Sequence, residues 1–168
     1  TMEWDIVTGE MAVNARWAEM LGYTLAELSP LTVQTWLALT HPQDQKEANA
    51  RLAAHFKGTS TNFDAEIRMR HKAGHWVWVH CRGAVCRRDD NGRALYLAGT
   101  QSDISERKRA EEELRQRNET FRVILENLRC GLSVFDAELN LVSYNVEFRQ
   151  LLDLSDHLFA GPVTTFES

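Results

Sequence analysis

Long apolar runs are missing from this sequence. No segment approaches the ~18 consecutive apolar residues of a membrane span, and no leader joins a basic stretch to an apolar core. The cytoplasm is the expected location, although a piece of a membrane-anchored receptor would read the same way. Charge of one sign is missing too. The formal charge is −5, and lysines and arginines are interspersed with aspartates and glutamates, so no basic stripe invites nucleic acid. Cysteine is scarce, with three residues, Cys81, Cys86 and Cys130. None shows Cys-x-x-Cys spacing. The odd separation of Cys81 and Cys86 in one strand-like region sends their side chains to opposite faces. Reduced, partly buried thiols are expected.

Catalytic patterns are absent as well. The sequence holds no Ser-His-Asp order, no Gly-x-Ser-x-Gly elbow and no phosphate-cradling glycine loop. It also lacks a phosphoacceptor-histidine box, a kinase nucleotide site and a cyclase signature. His71, His75 and His80 precede Asp89 and Asp90, yet no three of them have a metal-ligand spacing. The chain is therefore expected to have no enzymatic activity of its own and no metal.

What is present is an ordinary soluble composition, 43% apolar and 26% charged over 168 residues, enough for one domain and a fragment of another. Trp4–Val7 and Met11–Val13 flank Thr8-Gly9-Glu10 as a short hairpin. Ala15–Leu21 places Trp17, Met20 and Leu21 on one helical face. Thr24 and Glu27 have capping-box spacing, and Val33–Leu39 forms another short helix. His41-Pro42-Gln43-Asp44 opens a helix that runs to about Phe56, with Ala48, Leu52 and Phe56 on one face and Gly58 as its stop. From Asn62 the period becomes two: Phe63, Ala65, Ile67 and Met69 point one way, Asp64, Glu66, Arg68 and Arg70 the other. Turns at Lys72-Ala73-Gly74 and at Arg88–Gly92 introduce strands over Trp76–Cys81 and Ala94–Thr100. The expected class is α+β, with three long neighbouring strands in an antiparallel sheet covered by short helices and followed by a long connector helix.

Nine of the twelve residues 106–117 are charged, and the run lacks Gly and Pro, which suits a helix. Ala110, Leu114, Arg117, Phe121, Ile124 and Leu128 recur in steps of four and three, the spacing of a coiled-coil seam with Arg117 as its polar interruption. A dimer-forming connector and a monomeric linker helix both stay open. Beyond Cys130-Gly131 come a strand, turn, strand and helix, repeating the layout of the first 21 residues. Trp4–Glu10 aligns with Ser133–Leu139. The expected organisation is an α+β domain over 1–105, a helical connector over 106–129 and the truncated start of a second copy over 130–168.

The ordered set of motifs resembles the PAS sensory domain of the PAC-containing kind. It comprises Trp17–Thr24 with Leu28, His41-Pro42-Gln43-Asp44, Phe63–Met69, Lys72–Val79, Asp89–Gly92 and Leu97–Lys108. Together these cover about two thirds of the chain. Gly131–Leu154 resembles the opening of another PAS subclass often placed before histidine kinase or diguanylate cyclase modules. The resemblance implies a five-stranded antiparallel sheet cupping short helices. It also implies a cytosolic signal-input region of a multidomain, two-component-type sensor histidine kinase that senses a small ligand or redox state in the cup and relays it through the connector helix, with a diguanylate cyclase or a ligand-free interaction module as alternatives. The implied partners are a second copy, through the connector helix and the PAS surface, and an output domain in the same parent chain. Neither nucleic acid nor direct membrane insertion is implied.

The candidate cup lining is Trp78, Leu95, Leu97, Gly99 and Gln101. Strand alternation places the last four on one face. Gly99-Thr100-Gln101 is similar to the Gly-Val-Gln of flavin-binding relatives. A Gln facing an apolar cup needs a hydrogen bond, which protein, water or ligand could supply. The light-sensing branch's reactive-cysteine helix has no counterpart here, because Cys81 and Cys86 belong to strands. A noncovalent small molecule or flavin stays compatible with the sequence. Haem is disfavoured, since His55 lies at the end of its helix and His41 belongs to a helix-starting turn. Asp103, Ile104 and Ser105 are the expected relay from sheet to connector.

Overall fold

The computed structural model describes residues 1–128 and 130–153 and the backbone of 164–165. Two compact units divide it, Thr1–Arg109 and Ala110–Ser168. In the first, β1 (Met2–Asp5) and β2 (Met11–Val13) are followed by α1 (Ala15–Met20), α2 (Leu25–Leu28), α3 (Val33–Leu39) and α4 (Pro42–Phe56). Three longer strands come next, β3 (Phe63–Arg70), β4 (Trp76–Arg88) and β5 (Ala94–Asp103). The five strands form one sheet in the order β2-β1-β5-β4-β3, with every adjacent pair antiparallel.

Local chemistry sets most element ends. The first strand runs Met2–Asp5 where the sequence suggested Trp4–Val7, because the Asp5 carboxylate accepts from the amides of Val7 and Thr8 (2.9 and 3.1 Å) and turns the chain. Asn14 caps α1, Thr24 and Glu27 form a reciprocal capping box on α2, and Thr32 caps α3. His41 caps α4, its Nδ1 accepting from the Gln43 amide at 3.2 Å.

The period of two in β3 translates into burial. Phe63, Ala65, Ile67 and Met69 are buried against the helices, with Trp17, Leu21, Trp36 and Leu52 covering them. Of these, Phe63, Ile67 and Met69 are of a size that contributes about 1.5–3 kcal/mol each when fully buried. The opposite face carries Asp64, Glu66, Arg68 and Arg70. β3 is a sheet edge, yet part of it is occupied: the Arg68 carbonyl accepts from the His41 amide at 2.8 Å, and Thr40 bridges to Met69. In the sheet centre Gly99 stands opposite Gly83. A Cβ on Gly99 would lie 2.1 Å from the Arg82 carbonyl oxygen, so β4 and β5 approach this closely only with glycine there.

His55 ties the C-terminal end of α4 to the sheet. It is buried, with Nδ1 2.9 Å from the Ser60 carbonyl and Nε2 2.9 Å from the Val85 amide. An amide can only donate and a carbonyl only accept, so the ring is the neutral Nδ1–H tautomer. Arg88 completes the fastening by donating to the carbonyls of His55 and Phe56 at the end of α4.

A 23-residue helix, α5 (Ser105–Asn127), leaves the sheet and carries the boundary between the units. In the second unit β6 (Ser133–Phe135), β7 (Leu141–Tyr144) and a two-residue β8 (Thr164–Thr165) form a sheet in the order β6-β7-β8, and α6 (Val146–Leu151) comes after β7. Asp136 accepts from the Glu138 and Asn140 amides, and Asn145 caps α6. These repeat the roles of Asp5 and Asn14, and both pairs are nine residues apart. The structural correspondence is therefore Asp5 with Asp136, two residues out of step with the alignment of Trp4–Glu10 on Ser133–Leu139. The turn chemistry fixes the match, which the hydrophobic pattern alone left ambiguous. Residues 154–163 and 166–168 of the expected second copy, Leu154 included, lie outside the described residues.

Replacing His55 by Phe keeps the packing volume but strips two partly buried backbone groups of their partner. The expected loss is about 2–6 kcal/mol, from ~1–3 kcal/mol per unsatisfied group, read as a lower urea midpoint with an unchanged slope. A midpoint within error of the wild type would show that the two bonds add nothing.

The inner cavity and the junction to the connector helix

Between the sheet and helices α3 and α4 lies a cavity of about 20 Å³, room for roughly one water. Met2 and Trp4 of β1, Met11 of β2, Trp36 of α3, Leu52 of α4, Phe63 of β3, Cys81 of β4 and Gln101 of β5 line it, beside Arg82 and Thr100. Burial raises the Cys81 thiol well above its ordinary pKa, with the Asp64 charge adding to the shift, so it stays a neutral thiol. The Trp17 indole N–H donates to Gln101 Oε1 at 2.7 Å, and Gln101 Nε2 lies 3.0 Å from the Met2 sulfur. The indole nitrogens of Trp4 and Trp36 are buried and have no hydrogen-bond partner among the described residues. Each such unpaired donor costs ~1–3 kcal/mol.

The structure splits the expected cup lining. Gln101 faces the cavity, directly across from Cys81. Leu97 is fully buried in the core, and Gly99 serves the close approach of two strands. Leu95 is half-buried and lies outside both the core cluster and the cavity lining. A bulge around Cys86 shifts the register, and strict alternation does not carry past it. Trp78 is on the wrong side for a cup residue. Val77, Val79 and Cys81 are the buried face of β4, so alternation sends Trp78 outward. There the Arg68 guanidinium lies 5.4 Å and the Lys108 ammonium 5.2 Å from its ring centre. Trp4, Trp36, Met2 and Met11 were not singled out as cavity residues from sequence, because a Trp or Met on an apolar face reads the same whether it packs or lines a void.

A flavin or a haem does not fit these side chains as they stand. The cavity is far smaller than the ~300–1,000 Å³ of sites for molecules of drug size, and both ring nitrogens of His55 are already engaged by backbone groups. The other histidines have local duties: His71 stacks on His75 with centroids 4.1 Å apart, and His80 Nε2 is 2.8 Å from Asp64. Among the described residues no group of three or more His, Cys, Asp or Glu is placed to hold a metal.

Two residues beyond Gln101 begins the junction. Asp103 accepts from the Ser105 amide at 2.7 Å. Ser105 Oγ accepts from the Trp78 amide at 3.0 Å, and the Ile104 amide donates to the Trp78 carbonyl at 2.9 Å. The first turns of α5 are anchored on β3, with Arg107 and Lys108 at 2.5 and 2.6 Å from the Glu66 carboxylate. Those cations, Lys108 first, hold Glu66 below its ordinary pKa. Arg68 continues the outer-face chain to α4, its guanidinium meeting Asp44 at 2.6 and 2.9 Å and its amide meeting it at 2.8 Å.

Farther along α5, Ala110, Leu114, Arg117, Phe121 and Ile124 are all exposed, as is Leu128 just past its end. Arg117 pairs with Glu113 one turn back at 2.5 Å. Leu125, off that seam, is buried. No helix among the described residues is long and apolar enough to cross a membrane.

A five-stranded sheet in the order β2-β1-β5-β4-β3, a helix-starting His-Pro-x-Asp turn and a sheet-to-helix junction at Asp103–Ser105 together define an α+β fold with an exit helix. Comparison with known proteins agrees. A family model described as the PAS fold matches residues 10–101, and another of the same description matches 125–168. The chain belongs to the PAS-fold family. It is 28% identical over 150 residues to a probable diguanylate cyclase of Escherichia coli, DgcE, covering 88% of this chain and 13% of that protein. Among solved structures, a sensory box histidine kinase/response regulator from Burkholderia thailandensis superposes with a TM-score of 0.63 at 28% identity, over 72% of this chain and 88% of that one. The N-terminal domain of a diguanylate cyclase with PAS/PAC sensor from Marinobacter aquaeolei gives 0.55 at 27%, over 64% and 95%. The chain is thus a PAS sensory domain related to the input domains of histidine kinases and diguanylate cyclases, and spans about an eighth of the curated relative's length.

The Asp44–Arg68 pair makes the fold acid-sensitive in a stated direction. Hydrogen bonds from Arg68 hold the folded Asp44 carboxyl below its ordinary 3.8, so its contribution is complete above that value and lost as pH falls through the lower folded one. Asp44→Asn is therefore expected to destabilise the domain at pH 7. The gap to wild type should close on acidification below the ordinary carboxylate range, as measured by denaturant unfolding at several pH values. A gap independent of pH would mean that the charge contributes nothing.

Proposed function

We propose that this chain is the signal-input and dimerisation region of a multidomain sensor histidine kinase, one that registers a small molecule in the inner cavity and relays its presence through α5. The observation that carries this reading is continuity. Gln101 lines the cavity, and two residues later on the same strand Asp103 opens the hydrogen-bonded junction that fastens α5 to the Trp78 main chain. A shift of β5 against β4 would move that junction. A relay of this kind needs two packings with different affinity for the input. The exposed stripe Ala110, Leu114, Phe121, Ile124 and Leu128 supports the dimer, with Arg117 keeping the seam marginal enough to be switched.

Two other readings each have an observation in their favour. The 150-residue likeness to a probable diguanylate cyclase supports a cyclase output in place of the kinase. The small cavity, with Gln101 already held by Trp17, supports a ligand-free interaction module. In all of these the chain itself turns over no nucleotide.

If α5 relays through its phase, inserting two residues after Glu113 rotates everything downstream by about 200° at ~100° per residue and uncouples output from input. Seven inserted residues restore the phase. Regulated output of the parent protein with none, two and seven residues inserted is the measurement, with sedimentation of this chain beside it. Arg117→Leu is expected to strengthen self-association. Equal regulation at all three lengths, or a chain that stays monomeric with and without Arg117→Leu, would leave α5 a passive tether.

A further inference from the structure

The inner cavity contains an imbalance that protein groups do not resolve. The Trp4 and Trp36 indole N–H groups are donors with no partner among the described residues. Gln101 adds a third donor. An indole N–H can only donate, so the bond from Trp17 fixes Oε1 as the atom Gln101 turns toward Trp17, and Nε2 is left against the Met2 thioether, a weak acceptor. The residues that carry these three donors line one apolar cavity, where the side-chain acceptors include that thioether, the Cys81 thiol, the Thr100 hydroxyl and the Gln101 Oε1 already taken by Trp17.

Charge narrows the occupant further. No cationic head faces the cavity: Arg82 contacts it from an exposed position, and its guanidinium is engaged by Asp64 at 2.9 Å. A buried carboxylate or phosphate would have no counter-charge, which is costly. A cationic ligand would meet donors where it needs acceptors. A neutral molecule with an exposed oxygen lone pair matches both the donors and the apolar walls. Its body can be seated by movement of Met2 and Met11, since methionine is unbranched and adapts to irregular spaces.

Resting on the reading of the cavity as the input site, we infer that the cavity recognises a small neutral carbonyl compound, its oxygen accepting from the Trp4 and Trp36 indoles. The ligand class is set by two buried donors that no protein group among the described residues satisfies, with no free cation beside them. Gln101 is placed to join that oxygen through Nε2, so occupancy is felt on β5, two residues from the junction.

The test uses the whole 168-residue chain, ¹⁵N-labelled, with the indole N–H resonances assigned by single Trp→Phe variants. Cyclopentanone is the probe. Methylenecyclopentane has the same shape without the acceptor, and cyclopentanecarboxylate supplies an anion. Cyclopentanone is expected to move the Trp4 and Trp36 indole signals saturably while leaving Trp76 and Trp78 in place. Methylenecyclopentane should bind roughly tenfold or more weakly, because it leaves the donors unpaired, and Trp36→Phe should weaken cyclopentanone by a similar factor. Should Trp36→Phe not fold, the wild-type probe series decides alone. Equal binding of ketone and hydrocarbon, preference for the carboxylate, or indole signals that no probe moves would overturn the inference. Each of those results is read on this chain alone and is separable from failure of the relay, which the insertion series reads in the parent protein.

Discussion

Two main-chain hydrogen bonds at Trp78 govern how the sensory sheet is joined to its exit helix. The Trp78 amide and carbonyl are taken by Ser105 Oγ and the Ile104 amide, so the chain leaving β5 cannot depart from the sheet independently of β4. The Trp78 ring, on the same residue, faces the cations of Arg68 and Lys108 across the outer surface. One residue thus fixes the exit of α5 through its backbone and its first turns through its side chain. Arg68 extends the same chain of contacts to Asp44 at the start of α4. The outer face, polar by pattern, is organised around a tryptophan that does not enter the core.

The inner face is built differently. It is closed by aliphatic and aromatic side chains, and its polar groups are few enough to name singly. Trp17 and Gln101 satisfy each other, His55 satisfies two backbone groups, and Thr40 returns its hydroxyl to the Trp36 carbonyl. Against that background the two unpartnered indoles are exceptional, because buried donors are ordinarily paired. Both residues also line the cavity, which makes the imbalance informative about a ligand.

The second unit shows the same construction started again. Asp136 turns the chain as Asp5 does, and Asn145 caps a helix as Asn14 does. Asn145 also accepts from the Leu132 amide and donates to the Cys130 carbonyl, binding the beginning of the unit to its first helix. A repeat recognised by hydrophobic layout was therefore real in kind but out of step by two residues. Side chains that bond to backbone have fixed reach, whereas apolar positions tolerate sliding.

The sequence alone determined whatever depends on near neighbours: the burial alternation of β3, the start of α4 at His41-Pro42, the capping box at Thr24, the glycine stop after Phe56 and the uninterrupted α5. These rest on backbone sterics and hydrogen bonds reaching a few residues, and such signals are written locally. Tertiary structure alone decided which face of β4 is the core. Trp76 and Trp78 on one side and Val77, Val79 and Cys81 on the other are both apolar enough to be buried. The choice fell to partners distant in sequence, Arg68 and Lys108 outside and the helices inside. It likewise decided that Gln101 would meet Trp17, 84 residues away, and that Trp4 and Trp36 would share a cavity. No local pattern encodes such meetings, since they depend on the burial free energy of the whole sheet, which is settled only when all five strands and their covering helices are in place.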